Sequence, residues 1–253
     1  MDVLCTSHES QAESQTAGII AQAVRARPDL VLGLATGRTM KRVYAHLVRL
    51  HQQDGLDFSL CRTFNLDEYI GIPADHPGSY RRYMEEHLFR HINIQAGHAH
   101  VPDGMASGVI GECQRYEALI QEAGGIDLQL LGLGMTGHIG FNEPGSPLDS
   151  RTREVRLADL TRQENAGPFG GKASAVPATA ITMGLGTIME ARLCVLLVTG
   201  RSKASVLARV MAGPVTPLTP GSVLQRHPHC RVVVDAAASQ DLGMGSLDRP
   251  VFI

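Results

Sequence analysis

The chain has 253 residues, a formal net charge of −2 with both signs interspersed, no tryptophan and five scattered cysteines. That length holds one large α/β domain with a substantial core, and the balanced charge leaves no basic stripe for nucleic acid and no polybasic patch for a membrane surface. An odd cysteine count without CxxC spacing argues against a disulfide framework or a zinc ribbon, and no run is long enough to span a bilayer, so the expectation is a cytoplasmic protein with buried thiols.

In chain order, the acidic and polar N-terminus carries no element in this reading. Ala17, Ile20, Ala21 and Val24 recur at helical spacing and predict a helix over 10–27, stopped by Pro28. Residues 30–35 read as a strand running into Thr36-Gly37-Arg38-Thr39, after which Val43, Leu47 and Leu50 carry a second helix. A strand, a small polar turn and a helix N-terminus suit an anion held by backbone N–H groups and threonine hydroxyls, or form an ordinary turn with a threonine cap. Residues 62–66 predict the next strand, ending in Asp67-Glu68. Carboxylates at a strand's C-terminal end stand where ligands bind in open α/β sheets, and because adjacent side chains diverge, only one of the pair is a candidate base.

Residues 79–88 read as a helix. His87 and His91 have the i, i+4 spacing of a zinc pair but lack the glutamate of HExxH, so a solvated helix face is expected, while His98 and His100 lie in a loop without an evident third ligand, where a metal is the lesser reading. A helix over 113–120 closes at Gly124-Gly125. The apolar run 129–133 predicts a strand buried on both faces, and its glycine-rich turn delivers His138 and Glu143. Gly132, Gly134 and Gly137 match GxGxxG, but Pro144 and Pro147 leave no room for the long helix of a dinucleotide site. The glycines instead give access to His138, or let main-chain N–H groups meet a ligand.

Residues 151–157 alternate as a strand. The polar, glycine-rich stretch 160–174 offers little apolar surface and reads as a mobile lid or a surface loop. Residues 179–183 and 193–198 predict strands, the second running into Thr199-Gly200-Arg201-Ser202-Lys203 and a helix, where Lys203 is placed to close on a phosphate. A helix around 222–225, a last strand at 231–234 and a weakly ordered tail over 239–253 complete the chain. A histidine with a carboxylate orienter, a second carboxylate from another strand end and two phosphate-suited turns point to proton-transfer chemistry on a small phosphorylated molecule.

The strings LGLATGRT, FNLDEY, GHIGFNEPGS, SRTR and TGRSKA, in this order, resemble the glucosamine-6-phosphate deaminase family over about residues 31–234. The resemblance implies a single-domain three-layer α/β/α sandwich, a modified Rossmann-like fold with a mostly parallel sheet. It also implies conversion of glucosamine 6-phosphate and water into fructose 6-phosphate and ammonia, without metal or cofactor. Asp67 is then the base at C2, His138 the ring-opening acid/base and Glu143 its partner, while Thr36, Gly37, Arg38, Thr39 and Lys203 form the phosphate site.

Three departures stand out. Thr136 replaces an acidic or amide residue and removes a charge beside His138. Arg38 replaces a glycine of the phosphate loop, and Met40 its proline. Gly167 stands where relatives carry a lid arginine, a loss that Arg38 or Lys172 has to cover. Ser146 and Arg153 match an allosteric activator site, but Val155 replaces its lysine. Galactosamine-6-phosphate deaminase is the close alternative and a non-catalytic sugar-phosphate sensor the distant one; the implied partner is a small amino-sugar phosphate, with homo-oligomerisation left open.

Overall fold

The computed structural model describes residues 1–243. Its elements are β1 (Asp2–Thr6), α1 (Glu9–Ala26), β2 (Val31–Leu34), α2 (Met40–Asp54), β3 (Arg62–Asn65), β4 (Asp67–Tyr69), α3 (Tyr80–His87), β5 (Ala99–His100), α4 (Val109–Glu122), β6 (Leu128–Gly132), β7 (Arg153–Arg156), α5 (Asp159–Glu164), β8 (Thr179–Thr182), α6 (Leu185–Met189), β9 (Leu193–Val198), α7 (Ala204–Ala212) and β10 (Cys230–Asp235). Single 3₁₀ turns link several of them, and the expected helix around 222–225 is one of these, Pro220–Arg226.

Seven strands form a parallel sheet in the order β1-β10-β9-β6-β2-β3-β5. Strands buried on both faces favour apolar side chains throughout, which is why Leu193–Val198 reads as an unbroken run rather than an alternation, and Leu128–Gly132 is interrupted only by the buried Gln129. Right-handed crossovers place α1 and α2 on one face and α4, α6 and α7 on the other, giving the expected three layers. Helix α2 buries Met40, Val43, Tyr44 and Leu47 at the spacing of one helical face and ends at Gly55, whose φ of 65° provides the left-handed C-terminal turn.

Two features depart from the expectation. The N-terminus is not bare: Asp2–Thr6 adds an edge strand, pairing Val3 with Val232 and Cys5 with Val234. Only Val3, Leu4 and Cys5 are apolar there, too short a run to announce a strand. Second, the strands at 151–157 and 179–183 do not join the main sheet but form an antiparallel sheet of their own, β4-β8-β7. The chain crosses between the sheets at Leu66, whose N–H bonds Leu34 O in the main sheet while its carbonyl accepts from Met183 N. Asp67 is the first residue beyond that crossing.

All five cysteines are free and buried. Leu242, within the expected tail, is packed into the main core; residues 244–253 of that tail lie outside the described residues. Among the described residues no helix is long and apolar enough to cross a membrane.

Candidate active site

Four neighbouring strands, β9, β6, β2 and β3, end at one edge of the sheet. The chain leaves β2 toward β3 and leaves β6 toward β9, so a crevice opens between them, the usual ligand position in such sheets. Each strand delivers one part of the predicted constellation: Lys203 after β9, Thr136 to Glu143 after β6, Thr36 to Thr39 after β2, and Asp67 after β3.

The turn after β6 is tight. Gly134 N–H donates to His138 O and Gly137 N–H to Gly134 O, so these amides are engaged within the turn and are not offered to a ligand, contrary to the sequence reading. What Gly134 supplies is space: a Cβ there would lie 2.0 Å from His138 Nε2. The imidazole therefore rests directly on the glycine. Its other nitrogen, Nδ1, is 2.8 Å from Thr136 Oγ1 and 3.4 Å from Glu143 Oε2. Thr136 thus keeps a hydrogen-bonding partner on the ring where it brings no charge. Burial works to raise the Glu143 carboxyl, but the His138 ring, the Thr161 hydroxyl and the Ala158 N–H together hold it below the usual carboxylate range.

Asp67 and Glu68 diverge as adjacent strand residues must. Glu68 turns to the N-terminus of α3, where it accepts hydrogen bonds from Ser79 Oγ (2.7 Å) and from the N–H groups of Tyr80 and Arg81 (both 2.9 Å). It serves as an anionic cap there. Asp67 instead faces the His138 turn: a Cβ on Gly140 would stand 3.3 Å from its Oδ2, and the Phe141 N–H bonds it. Burial pushes the Asp67 carboxyl up to about 8; neighbouring Glu68 adds to the rise and the Phe141 N–H opposes it.

At the end of β2, Gly37 has a φ of 114°, which only glycine adopts freely, and it leaves open space on its α-carbon. Thr39 stands at the start of α2 without capping it through its side chain, so the threonine-cap reading does not hold at that residue. The Thr36 hydroxyl bonds Tyr80 OH, and Tyr83 OH donates to Gly37 O at 2.7 Å. Met40 lays its methyl toward Gly132. Burial lowers the Lys203 ammonium; Arg38, close enough to repel it, adds to the fall, and Glu164 opposes it. Two cations, from loops after β2 and β9, therefore converge on one region.

The stretch expected to pack little apolar surface does pack. Phe169 is buried against Tyr69, with ring centroids 5.5 Å apart, and against His76 at 5.3 Å, above Gly78. Tyr69, Phe141, Leu157, Ala166, Phe169, Val176 and Ala180 form a second, smaller core beside the crevice. Asn165 bonds Tyr69 OH. One aromatic, Phe169, and one alanine, Ala166, sufficed, a quantity that glycine-rich composition concealed. Gly167 is exposed, and a side chain there would meet nothing within 4 Å.

Over residues 6–233 the sequence matches the family described as glucosamine-6-phosphate isomerases/6-phosphogluconolactonase. The chain belongs to that family. Among its relatives, glucosamine-6-phosphate deaminase 2 of Bacillus subtilis (strain 168) is 47% identical over 97% of this chain and 99% of its own. The protein of the same name from Giardia intestinalis is 51% identical over 88% of this chain and 85% of its own. The solved structure of a monomeric glucosamine-6-phosphate deaminase, 40% identical, superposes with a TM-score of 0.92 over 95% of this chain and 100% of that one. The 6-phosphogluconolactonase of Trypanosoma cruzi shares the fold at 21% identity, with a TM-score of 0.74 over 95% of this chain and 96% of its own.

Within the family frame, the remaining sequence candidates find other occupations. Tyr83 packs edge-on against His87, His91 Nε2 pairs with Glu86 O at 2.9 Å, and His100 stacks on Phe64. Among the described residues no three His, Cys, Asp or Glu side chains are grouped to hold a metal ion. Arg153 is turned inward onto Asn142 Oδ1 (2.8 Å) and Ser150 Oγ (3.1 Å). A groove of about 990 Å³ between α4 and β7 lies away from the crevice, and its Glu117 is engaged by Thr152, Thr187 and Arg151. Sequence reasoning missed Tyr80, Asn165 and Thr161, which no motif marked, and Phe141, which lies inside GFNEP and could have been suspected for its position alone.

Proposed function

We propose that this protein converts glucosamine 6-phosphate and water into fructose 6-phosphate and ammonia. The observation that carries the reading is Asp67, a buried carboxylate held up to about 8, standing at one sheet edge with His138 and Glu143 in a chain of this family. No observation favours the galactosamine or sensor readings.

His138, supported by Glu143 and Thr136, moves the proton between the ring oxygen and the C1 hydroxyl that opens the pyranose. Asp67 as carboxylate takes the C2 proton of the open-chain amino aldehyde, leaving an enolamine. It then returns a proton to C1, which makes C2 an iminium. Water adds at C2, and ammonia leaves as the ketone forms. Ring opening, the two carbon proton transfers, the addition of water and the departure of ammonia each need only a proton donor or acceptor, which the chain's own acids and bases supply.

The phosphate is held by Thr36, Gly37, Arg38, Thr39 and Lys203, with Arg38 covering for the arginine missing at Gly167. Charge-assisted bonds of this kind are worth about 1.5–3 kcal/mol. Arg38→Ala and Lys203→Ala are each expected to raise KM roughly 10- to 100-fold with a smaller change in kcat, measured by steady-state kinetics. All of these residues come from one chain. The segment 160–174 acts as its lid, residues 1–253 form one domain, and the protein works in the cytoplasm.

The test is ammonia release from purified protein given glucosamine 6-phosphate or galactosamine 6-phosphate, with fructose 6-phosphate and tagatose 6-phosphate measured in parallel. Turnover of the gluco substrate is expected. Turnover of the galacto substrate alone, or binding of both without ammonia, overturns the proposal.

A further inference from the structure

Glu143 is gripped from outside its own loop. Its Oε1 accepts a hydrogen bond from Thr161 Oγ1, and the Ala158 N–H also helps keep the carboxylate charged. Both donors belong to the start of α5, in the segment that joins β7 to β8 of the second sheet, and Thr161 is 3% exposed. The other oxygen, Oε2, is engaged by no other group and faces His138 Nδ1 at 3.4 Å. A glutamate's terminal torsion is broad, so fixing one oxygen fixes where the other points.

We infer that Thr161 is a positioning residue of the acid/base pair: by holding Oε1 it presents Oε2 to His138, and it makes that alignment conditional on α5 being docked. The inference rests on the roles proposed above for His138 and Glu143. Docking of α5 is secured downstream by Asn165 on Tyr69 and by Phe169 in the small aromatic core. Lifting this segment would withdraw two donors from Glu143 together, so the histidine loses its aligned partner whenever the segment is away. Proton transfer is then favoured only with the segment seated, which limits it to the water-excluded state of the crevice.

A residue that merely fills space would tolerate an isosteric change. Thr161→Val keeps the shape and removes the hydroxyl; Thr161→Ser keeps the hydroxyl. Full-length protein labelled with ¹⁵N-histidine reports the ring nitrogens of His138, assigned by their loss in His138→Asn. In Thr161→Val the Nδ1 signal is expected to move toward its position in Glu143→Gln, and kcat to fall about tenfold with KM within about twofold. Thr161→Ser is expected to restore both. A Thr161→Val protein with the wild-type His138 spectrum and kcat, or a Thr161→Ser protein as impaired as Thr161→Val, overturns the inference. If wild-type protein releases no ammonia, the proposed function falls, while the ring-nitrogen spectra still decide the role of Thr161.

Discussion

Asp67→Asn is expected to lower kcat for ammonia release about 10³-fold while leaving the fold intact, because the amide cannot take the C2 proton and general acid/base groups contribute on that scale. The same carboxyl sets a pH dependence. As base it must be ionised, and burial holds it up to about 8 in the free protein. Wild-type kcat/KM should therefore rise with pH along an acid limb centred near 8, and an acid limb centred near the ordinary 3.8 would remove Asp67 from this role. Stability moves the other way. Between 3.8 and about 8 the unfolded chain releases this proton while the folded chain keeps it, so Asp67 makes the fold progressively less stable as pH rises. Asp67→Asn abolishes that penalty, and its advantage over wild type in denaturant melts should grow from pH 4 to pH 8. A variant that is inactive yet more stable at pH 8 is the signature of a functional carboxylate held in an unfavourable place.

Gly134→Ala is the second large effect. The added methyl would stand 2.0 Å from His138 Nε2, and the ring, with only 13% of its side chain exposed, has little room to retreat. Displacing it breaks the approach to both Thr136 and Glu143. The expected result is a loss of at least about 10²-fold in kcat together with about 1–3 kcal/mol of stability, read from kinetics and denaturant melts. Gly132→Ala is the control, since its nearest neighbour is the terminal methyl of Met40 at 3.2 Å, which can swing aside. It should keep most of the activity. Equal damage from both substitutions would mean that the glycines matter for backbone conformation rather than for the seat of the histidine.

The main sheet was legible because strands buried on both faces leave largely apolar runs, as in Leu193–Val198, and because His138 and Lys203 each follow such a run within a few residues, with Asp67 directly after the more mixed residues 62–66. Local pattern could not show which strands share a sheet. Nothing in the sequence separates Thr179–Thr182, which pairs antiparallel with β4 and β7, from a main-sheet strand. The Asp67-Glu68 pair is similar: the divergence of neighbours was foreseeable, but assigning Glu68 to the start of α3 required knowing that Ser79 and Tyr80 fold back beside it. Thr136 was read as a lost charge beside His138. That its hydroxyl stays 2.8 Å from the ring nitrogen depends on a turn closed by two glycine amides, which is geometry rather than composition.

The tyrosines give the molecule an optical property. The chain has five of them and no tryptophan. Tyr44, Tyr69, Tyr80 and Tyr116 all lie within the field of Asp67, and Tyr83 holds the Gly37 carbonyl. Ultraviolet emission from this protein therefore comes mostly from tyrosines that feel the charge of Asp67. Ionisation of one aspartate or arrival of one ligand changes the surroundings of most of its fluorophores at once, so occupancy can be followed without a label.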